Sequence, residues 1–231
     1  MLLLVLIMDI APGYRPPTLT VDLVMFRIER GVLEVLLLKR AAEPFRGEWA
    51  LPGGYNAAGE TTVEALGRVV WDKVGLDLRS DVGFFEQLCT VDTVARDPRG
   101  HAVSVVYLGC GFGLDLPGGS QSHRFWPVDA LPELAFDHAE IIAYARQRLV
   151  SKMSYSNAVS GLVDSTFTLS QVQAAYEAVW GRELDKRNFR KKFLSLGLIE
   201  ETGGFWATGA HRPAKLYRFR SSELEILPSP F

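Results

Sequence analysis

The chain has 231 residues, 48 % of them hydrophobic and 23 % charged, a globular composition with room for one large core or two modest ones at roughly 100–200 residues per domain. Lys plus Arg number 25 and Asp plus Glu 27, and the net charge of −2 excludes a uniformly basic nucleic-acid coat and a disordered acidic tail. The average hides an asymmetry: residues 1–160 carry 15 basic and 19 acidic side chains, residues 161–231 carry 10 and 8, and the segment Arg182 to Arg220 carries 10 and 4.

The run Met1 to Met8 is apolar but far shorter than the roughly 20 residues a membrane span needs, and no Lys or Arg precedes it as in a signal peptide. It reads as an N-terminal strand or as a mis-assigned start with Met8 the initiator, so residues 1–18 are expected to be disordered or extraneous. A cytoplasmic location with no membrane partner is expected. Thr20 to Ile28 and Val32 to Leu38 are β-rich and flank Glu29-Arg30-Gly31, a hairpin signal. A Gly- and Pro-rich loop, Ala41 to Asn56, precedes a helix over Glu60 to Val74 that Gly75 should stop. Strands are predicted at Val82 to Val91, Val103 to Tyr107 and around Phe125, and a helix from Asp137 or His138 to Lys152. Cys89 and Cys110 fall in apolar runs and read as buried free thiols of a reducing compartment, a disulfide being the lesser alternative; neither begins a CxxC zinc motif.

Residues 154–164 are polar and small and read as a linker between a domain over 1–153 and a second over 165–231. In the second, Val172, Ala175, Tyr176, Val179 and Trp180 share one helix face, with Thr168 or Ser170 as N-cap and Gly181 as stop. Asp185 to Leu196 reads as another helix, and Leu198 to Thr202 with Ala214 to Arg220 as two strands around a Gly-rich loop, the outline of a winged helix. With Phe189 turned inward, Phe193 and Leu196 follow it, while Arg187 and Lys191 lie opposite and Asn188 and Arg190 flank them. Such a face suits the DNA major groove, where Arg and Lys reach guanine and Asn reads adenine. Arg212 and Lys215 would carry the basic wing. A merely solvated charged face is the plain alternative; the adjoining basic hairpin favours DNA.

In the first domain, Leu51-Pro-Gly-Gly54, Glu60, Arg68 and Gly75-Leu76 keep the spacing of the Nudix box and resemble it. In that family the Arg is followed by a Glu, two further residues and a Glu pair, the carboxylates all on one helix face, where they hold divalent cations against a diphosphate. Here those positions are Val69, Asp72 and Lys73. Metal-dependent hydrolysis is therefore expected to be absent or vestigial, with no catalytic residues and no metal ligands, and the pocket is expected to bind rather than cut. A helix whose Glu60, Glu64, Arg68 and Asp72 merely pair along one face would explain the charges but not the loop before it.

Trp49-Ala-Leu-Pro-Gly-Gly54, Glu86-Gln-Leu88, Arg96-Asp-Pro-Arg-Gly100, Leu134-Ala-Phe-Asp-His138, Asp185-Lys-Arg-Asn-Phe-Arg190 and Arg212-Pro-Ala-Lys-Leu-Tyr217 together resemble the Nudix-related transcriptional regulators of the NrtR family. The resemblance implies an α/β/α Nudix sandwich with a mixed sheet followed by a winged helix-turn-helix, α+β overall. It implies a homodimeric repressor of NAD metabolism genes that grips a palindromic double-stranded DNA operator. Its effector would be ADP-ribose or a related NAD-derived nucleotide, with no cofactor required; the sequence leaves open whether the effector releases or promotes DNA binding, release being what the resemblance implies. Residual ADP-ribose pyrophosphatase activity and the sensing of a sugar are the alternatives.

For the effector we expect Arg40, Trp49, Gly53 and Gly54 to line the pocket, and Arg68, Arg96 and Arg99 to meet phosphate, since guanidinium forks suit phosphate oxygens. Each has a second reading: Arg68 braces Glu60 or Glu64, Trp49 belongs to the core, and Arg96 and Arg99 organise a turn or a subunit contact. His138 is expected to cap its helix.

Overall fold

The computed structural model describes residues 15–114, 116, 122–207, 213–228 and 230–231. The apolar run Met1 to Met8 and the wing residue Arg212 lie outside them. No helix among the described residues is long and apolar enough to cross a membrane.

β1 (Thr18–Glu29) and β2 (Val32–Lys39) form the expected hairpin, and the two turn residues Arg30 and Gly31 both take positive φ, 50° and 79°, as a tight two-residue turn requires. β1 is also the parallel neighbour of β6 (Ala102–Cys110), whose antiparallel partner is β5 (Phe84–Val91). Short strands complete this seven-stranded mixed sheet: β3 (Trp49–Ala50) and β7 (His123–Pro127) on β2, and β4 (Gly53–Tyr55) on β1.

Alternation along β1 divides the core between the two faces. Leu23 and Met25 pack under α1 (Thr62–Val74) with Leu66 and Val70; Val24 and Phe26 pack under α2 (His138–Tyr155) with Ile142 and Leu149. Glu86 on β5 accepts hydrogen bonds from Arg148 (2.8 Å) and Lys152 (2.8 Å), locking α2 to the sheet. Cys89 and Cys110 are free thiols.

α3 (Leu169–Trp180), α4 (Lys186–Ser195) and the hairpin β8 (Ile199–Trp206) with β9 (Ala214–Phe219) form the winged helix. Thr168, not Ser170, caps α3, in a capping box with Gln171, and Gly181 ends it in the left-handed conformation. Tyr176 centres an aromatic cluster with Trp180, Phe189, Phe193 and Phe231.

The stretch 154–164 departs from the linker expectation. α2 continues to Tyr155, Ala158–Leu162 forms a 3-10 turn, and Ala158, Val159, Gly161 and Leu162 are all buried. The small residues that suggest a flexible connection instead allow close packing: the Gly161 backbone lies directly on Gly83 and Phe84. Sheet, α2, this turn, α3 and α4 share one hydrophobic cluster. A Cβ on Gly161 would stand 2.8 Å from the Phe84 Cβ, so Gly161→Ala should lower stability by about 1–3 kcal/mol through overpacking. Thermal unfolding checks this, and an unchanged midpoint would contradict the packing described.

Candidate functional site

α1 begins in a capping box of Thr61 and Glu64 and ends at Gly75 in the left-handed conformation. Just before it, Glu60 accepts two hydrogen bonds from Arg68, at 2.6 and 2.8 Å, and a third from the Ala57 amide. These hold the Glu60 carboxyl well below its ordinary range, at about 2. Arg68 also donates to the Tyr55 carbonyl, so it staples the helix to the loop and is not among the residues lining the cavity described below. The Arg68–Glu60 pair is the brace named as its second reading.

Positions 69, 72 and 73 lie on one helix face. Val69 is buried, its methyl groups against Gly54; Asp72 is exposed; the Lys73 ammonium donates to the Gly53 carbonyl. One hydrocarbon, one carboxylate and one ammonium do not fit the divalent ion that a Nudix box serves, because an ammonium beside the site opposes a cation where a second anion is needed. Among the described residues no group of three or more His, Cys, Asp or Glu is placed to hold a metal ion.

Above this face opens a cavity of about 410 Å³. Its wall carries five cationic side chains, Lys39, Arg40, Lys73, Arg96 and Arg99, against three carboxylates, Asp22, Glu43 and Asp97. Gly53 and Gly54 form part of it, and Gly53 has no alternative: a Cβ there would overlap the Asp22 carboxylate and stand 2.6 Å from the Val21 carbonyl. Desolvation by burial, then the nearby Arg99, push the Arg40 guanidinium below its ordinary pKa, and desolvation followed by the opposing pull of Asp22 and the push of Arg40 leaves Lys73 lowered too. Crowded cations of this kind are relieved by an anion.

Phe136, held at φ 57°, places its ring beneath Arg40 (4.7 Å) and Arg99 (6.0 Å). Arg99 is also forked onto Asp97 and donates to the Tyr55 hydroxyl at 2.9 Å. The first turn of α2 is anchored to the same cavity twice. Arg96 binds Asp137 through two hydrogen bonds, 2.6 and 2.8 Å, and His138 accepts from the Leu51 amide at Nδ1, 2.9 Å. His138 therefore corrects the capping expectation: it is buried and pins the loop rather than the helix end. Burial lowers its pKa and keeps it neutral, with its proton on Nε2.

Arg40, Gly53, Gly54, Arg96 and Arg99 thus come together, whereas Trp49 does not join them. Its ring meets Trp126 edge to face at 5.4 Å and packs on the core, its other reading. Asp22, Tyr55 and Phe136 were not singled out from the sequence; a lone Asp inside the apolar strand Val21 to Phe26 was the available signal for the first.

In the winged helix, Phe189, Phe193 and Leu196 are buried and Arg187, Asn188 and Lys191 exposed, the facing expected of α4. Arg190 is half-buried and donates to the Ser170 hydroxyl at 3.0 Å, which ties α4 to the start of α3. Lys215 is exposed but ion-paired with Glu201 across the hairpin at 2.7 Å, and Arg218 with Glu200, so the wing is less basic than its composition suggests.

Because a neutral buried His loses protons relative to the unfolded chain, its contribution to stability is present above its ordinary pKa of 6.5 and falls away as pH drops below that value. His138→Gln should flatten the decline in unfolding free energy below pH 6.5; identical slopes for variant and parent would contradict the assignment.

Residues 16–145 match the NUDIX domain family, and residues 159–219 match the NrtR DNA-binding winged helix domain. The chain is 32 % identical over 220 residues to the ADPR responsive transcriptional repressor NtrR of Acinetobacter baylyi, covering 92 % of this chain and 86 % of that protein. Shewanella oneidensis NrtR complexed with a 27mer DNA is similar at TM-score 0.77 and 32 % identity, over 87 % of this chain and 93 % of that one. The NUDIX domain of the same Shewanella protein complexed with ADP ribose gives 0.53 and 33 %, over 61 % of this chain and 94 % of that one. With a NUDIX domain joined to an NrtR-type winged helix along nearly its whole length, the chain belongs to the NrtR family.

Proposed function

We propose that this protein is a homodimeric transcriptional repressor of NAD metabolism genes whose NUDIX domain senses ADP-ribose, or a closely related NAD-derived nucleotide, without hydrolysing it. The observation that carries the reading is the cavity itself. It is rich in cations, contains the exposed ring of Tyr55 and the ring of Phe136, and is built partly from the first turn of the helix that leads to the DNA-reading unit. Guanidinium and ammonium groups suit a diphosphate, and aromatic rings suit a base or ribose face.

α2 supplies the connection. At 18 residues it is about 27 Å long at 1.5 Å per residue. One end meets the cavity through Asp137 and His138; the other receives Tyr176 and Trp180 of α3, which donate to the Met153 and Val150 carbonyls, each at 3.3 Å. A ligand that favours one position of the first turn therefore favours one placement of α3 and α4. In a dimer, paired recognition helices must match half-sites about 34–36 Å apart or a multiple of that, so a small change in placement weakens the grip. A coupling of about 1–3 kcal/mol suffices for a switch.

A mobility-shift titration with promoter DNA of NAD metabolism genes tests this reading. Binding should weaken steeply with salt and be released by ADP-ribose, and Arg187→Ala with Lys191→Ala should weaken it at least tenfold, each contact being worth about 1–3 kcal/mol. Undiminished binding by the double variant would remove α4 as the reader. Multiple turnover of ADP-ribose in Mg²⁺ would overturn the non-enzymatic part.

A further inference from the structure

Lys73 is exposed, yet its ammonium is anchored rather than free in solvent. Its Nζ donates to the Gly53 carbonyl in the cavity wall, with Arg40 and the buried Asp22 as charged neighbours. It sits in the last turn of α1, where the carbonyl end of the helix favours a cation, and Gly75 fixes the end of that turn. Gly54 beside it has no side chain: a Cβ there would stand 3.8 Å from Nζ, so the glycine leaves the ammonium open toward the cavity. An ammonium has three protons to donate, and the Gly53 carbonyl takes one.

The remainder of the helix face cannot recruit an ion. Val69 presents methyl groups to Gly54, and Asp72 does not reach the cavity wall. Yet the buried Asp22 also lines the cavity, and an anionic ligand beside it needs a compensating positive charge in the same wall.

We infer that Lys73 is a tethered cation standing in for the divalent ion: its ammonium, held at the Gly53 carbonyl, binds the diphosphate of the nucleotide, and ligand binding is independent of metal. The inference rests on the reading of the cavity as a site for ADP-ribose or a relative. It assigns to Lys73 a recognition role that its position in the box disguises, since in the box pattern the residue there is a carboxylate.

Calorimetric titration of ADP-ribose into the full chain tests it, in EDTA and in Mg²⁺, with the parent and with Lys73→Met, Lys73→Arg, Lys73→Glu and Asp72→Asn, each checked by thermal unfolding. The parent should bind equally in the two buffers, within about twofold. Lys73→Met should lose at least tenfold in both, Lys73→Arg should recover most of that loss, and Asp72→Asn should bind as the parent does. Lys73→Glu should bind worst in EDTA. A parent that binds only with Mg²⁺, or a folded Lys73→Met that binds as tightly as the parent, would overturn the role of Lys73 and leave the cavity reading standing. A parent that binds ADP-ribose in neither buffer would overturn the cavity reading and this inference with it. The comparison of buffers needs no variant, so independence of metal is tested even where a substitution unfolds the chain, while Lys73→Arg and Lys73→Met together test the ammonium itself.

Discussion

The close packing of the 3-10 turn Ala158–Leu162 between the sheet and α3 is the constraint on which the rest depends. Two glycines, Gly83 and Gly161, meet there backbone to backbone, and Val159 and Leu162 join the cluster that runs from Val24 and Phe26 of the sheet to Tyr176 and Phe193 of the winged helix. Without that contact the winged helix would be a second body on a tether, free to take many orientations. With it, the two halves share one interior, and a close-packed interior of this kind transmits displacement. The tail beyond β9 reinforces the joint: Leu227 and Phe231 donate backbone hydrogen bonds to the carbonyls of Tyr155 and Ser154, and Asn157 binds the backbone of Glu223 and Glu225.

The cavity follows a different logic, that of charge. Its cations are held by partners that leave donors available or by geometry that crowds them together. Arg96 is committed to Asp137 and Arg99 to Asp97, while Arg40 donates to the carbonyls of Pro44 and Ala42 and rests on the Phe136 ring. Such fixed charges are organised before a ligand arrives, which reduces what binding must spend on ordering side chains. The same economy applies to Lys73, whose cation is part of the chain and needs no capture from solution.

Local signals in the sequence carried much of the architecture. The turn at Arg30-Gly31, the stops at Gly75 and Gly181, and the facing of α4 all follow from neighbours within a few residues, and the structure bears them out. What stayed illegible depended on distant segments. The cavity assembles Asp22, Arg40, Tyr55, Arg99 and Phe136 from five separate stretches, and no periodicity links them. Trp49 sits beside the box motif and Arg68 within it, but both are drawn away from the cavity, one by Trp126 and the other by Glu60. The wing shows the same limit: the pairing of Lys215 with Glu201 and of Arg218 with Glu200 is a matter of strand register, invisible to a count of charges. Residues 154–164 misled for the converse reason, since small residues serve flexible connections and tight contacts alike.

In the proposed function, nucleotide in the cavity and DNA on α4 compete through one rigid path, and linkage makes that competition reciprocal. The most direct measurement is the affinity of ADP-ribose for the free protein and for the operator-bound protein. The expected result is weaker binding to the DNA complex, by the same factor by which saturating ADP-ribose lowers operator affinity. Equal affinities for the free and DNA-bound protein would mean that the two sites are not coupled.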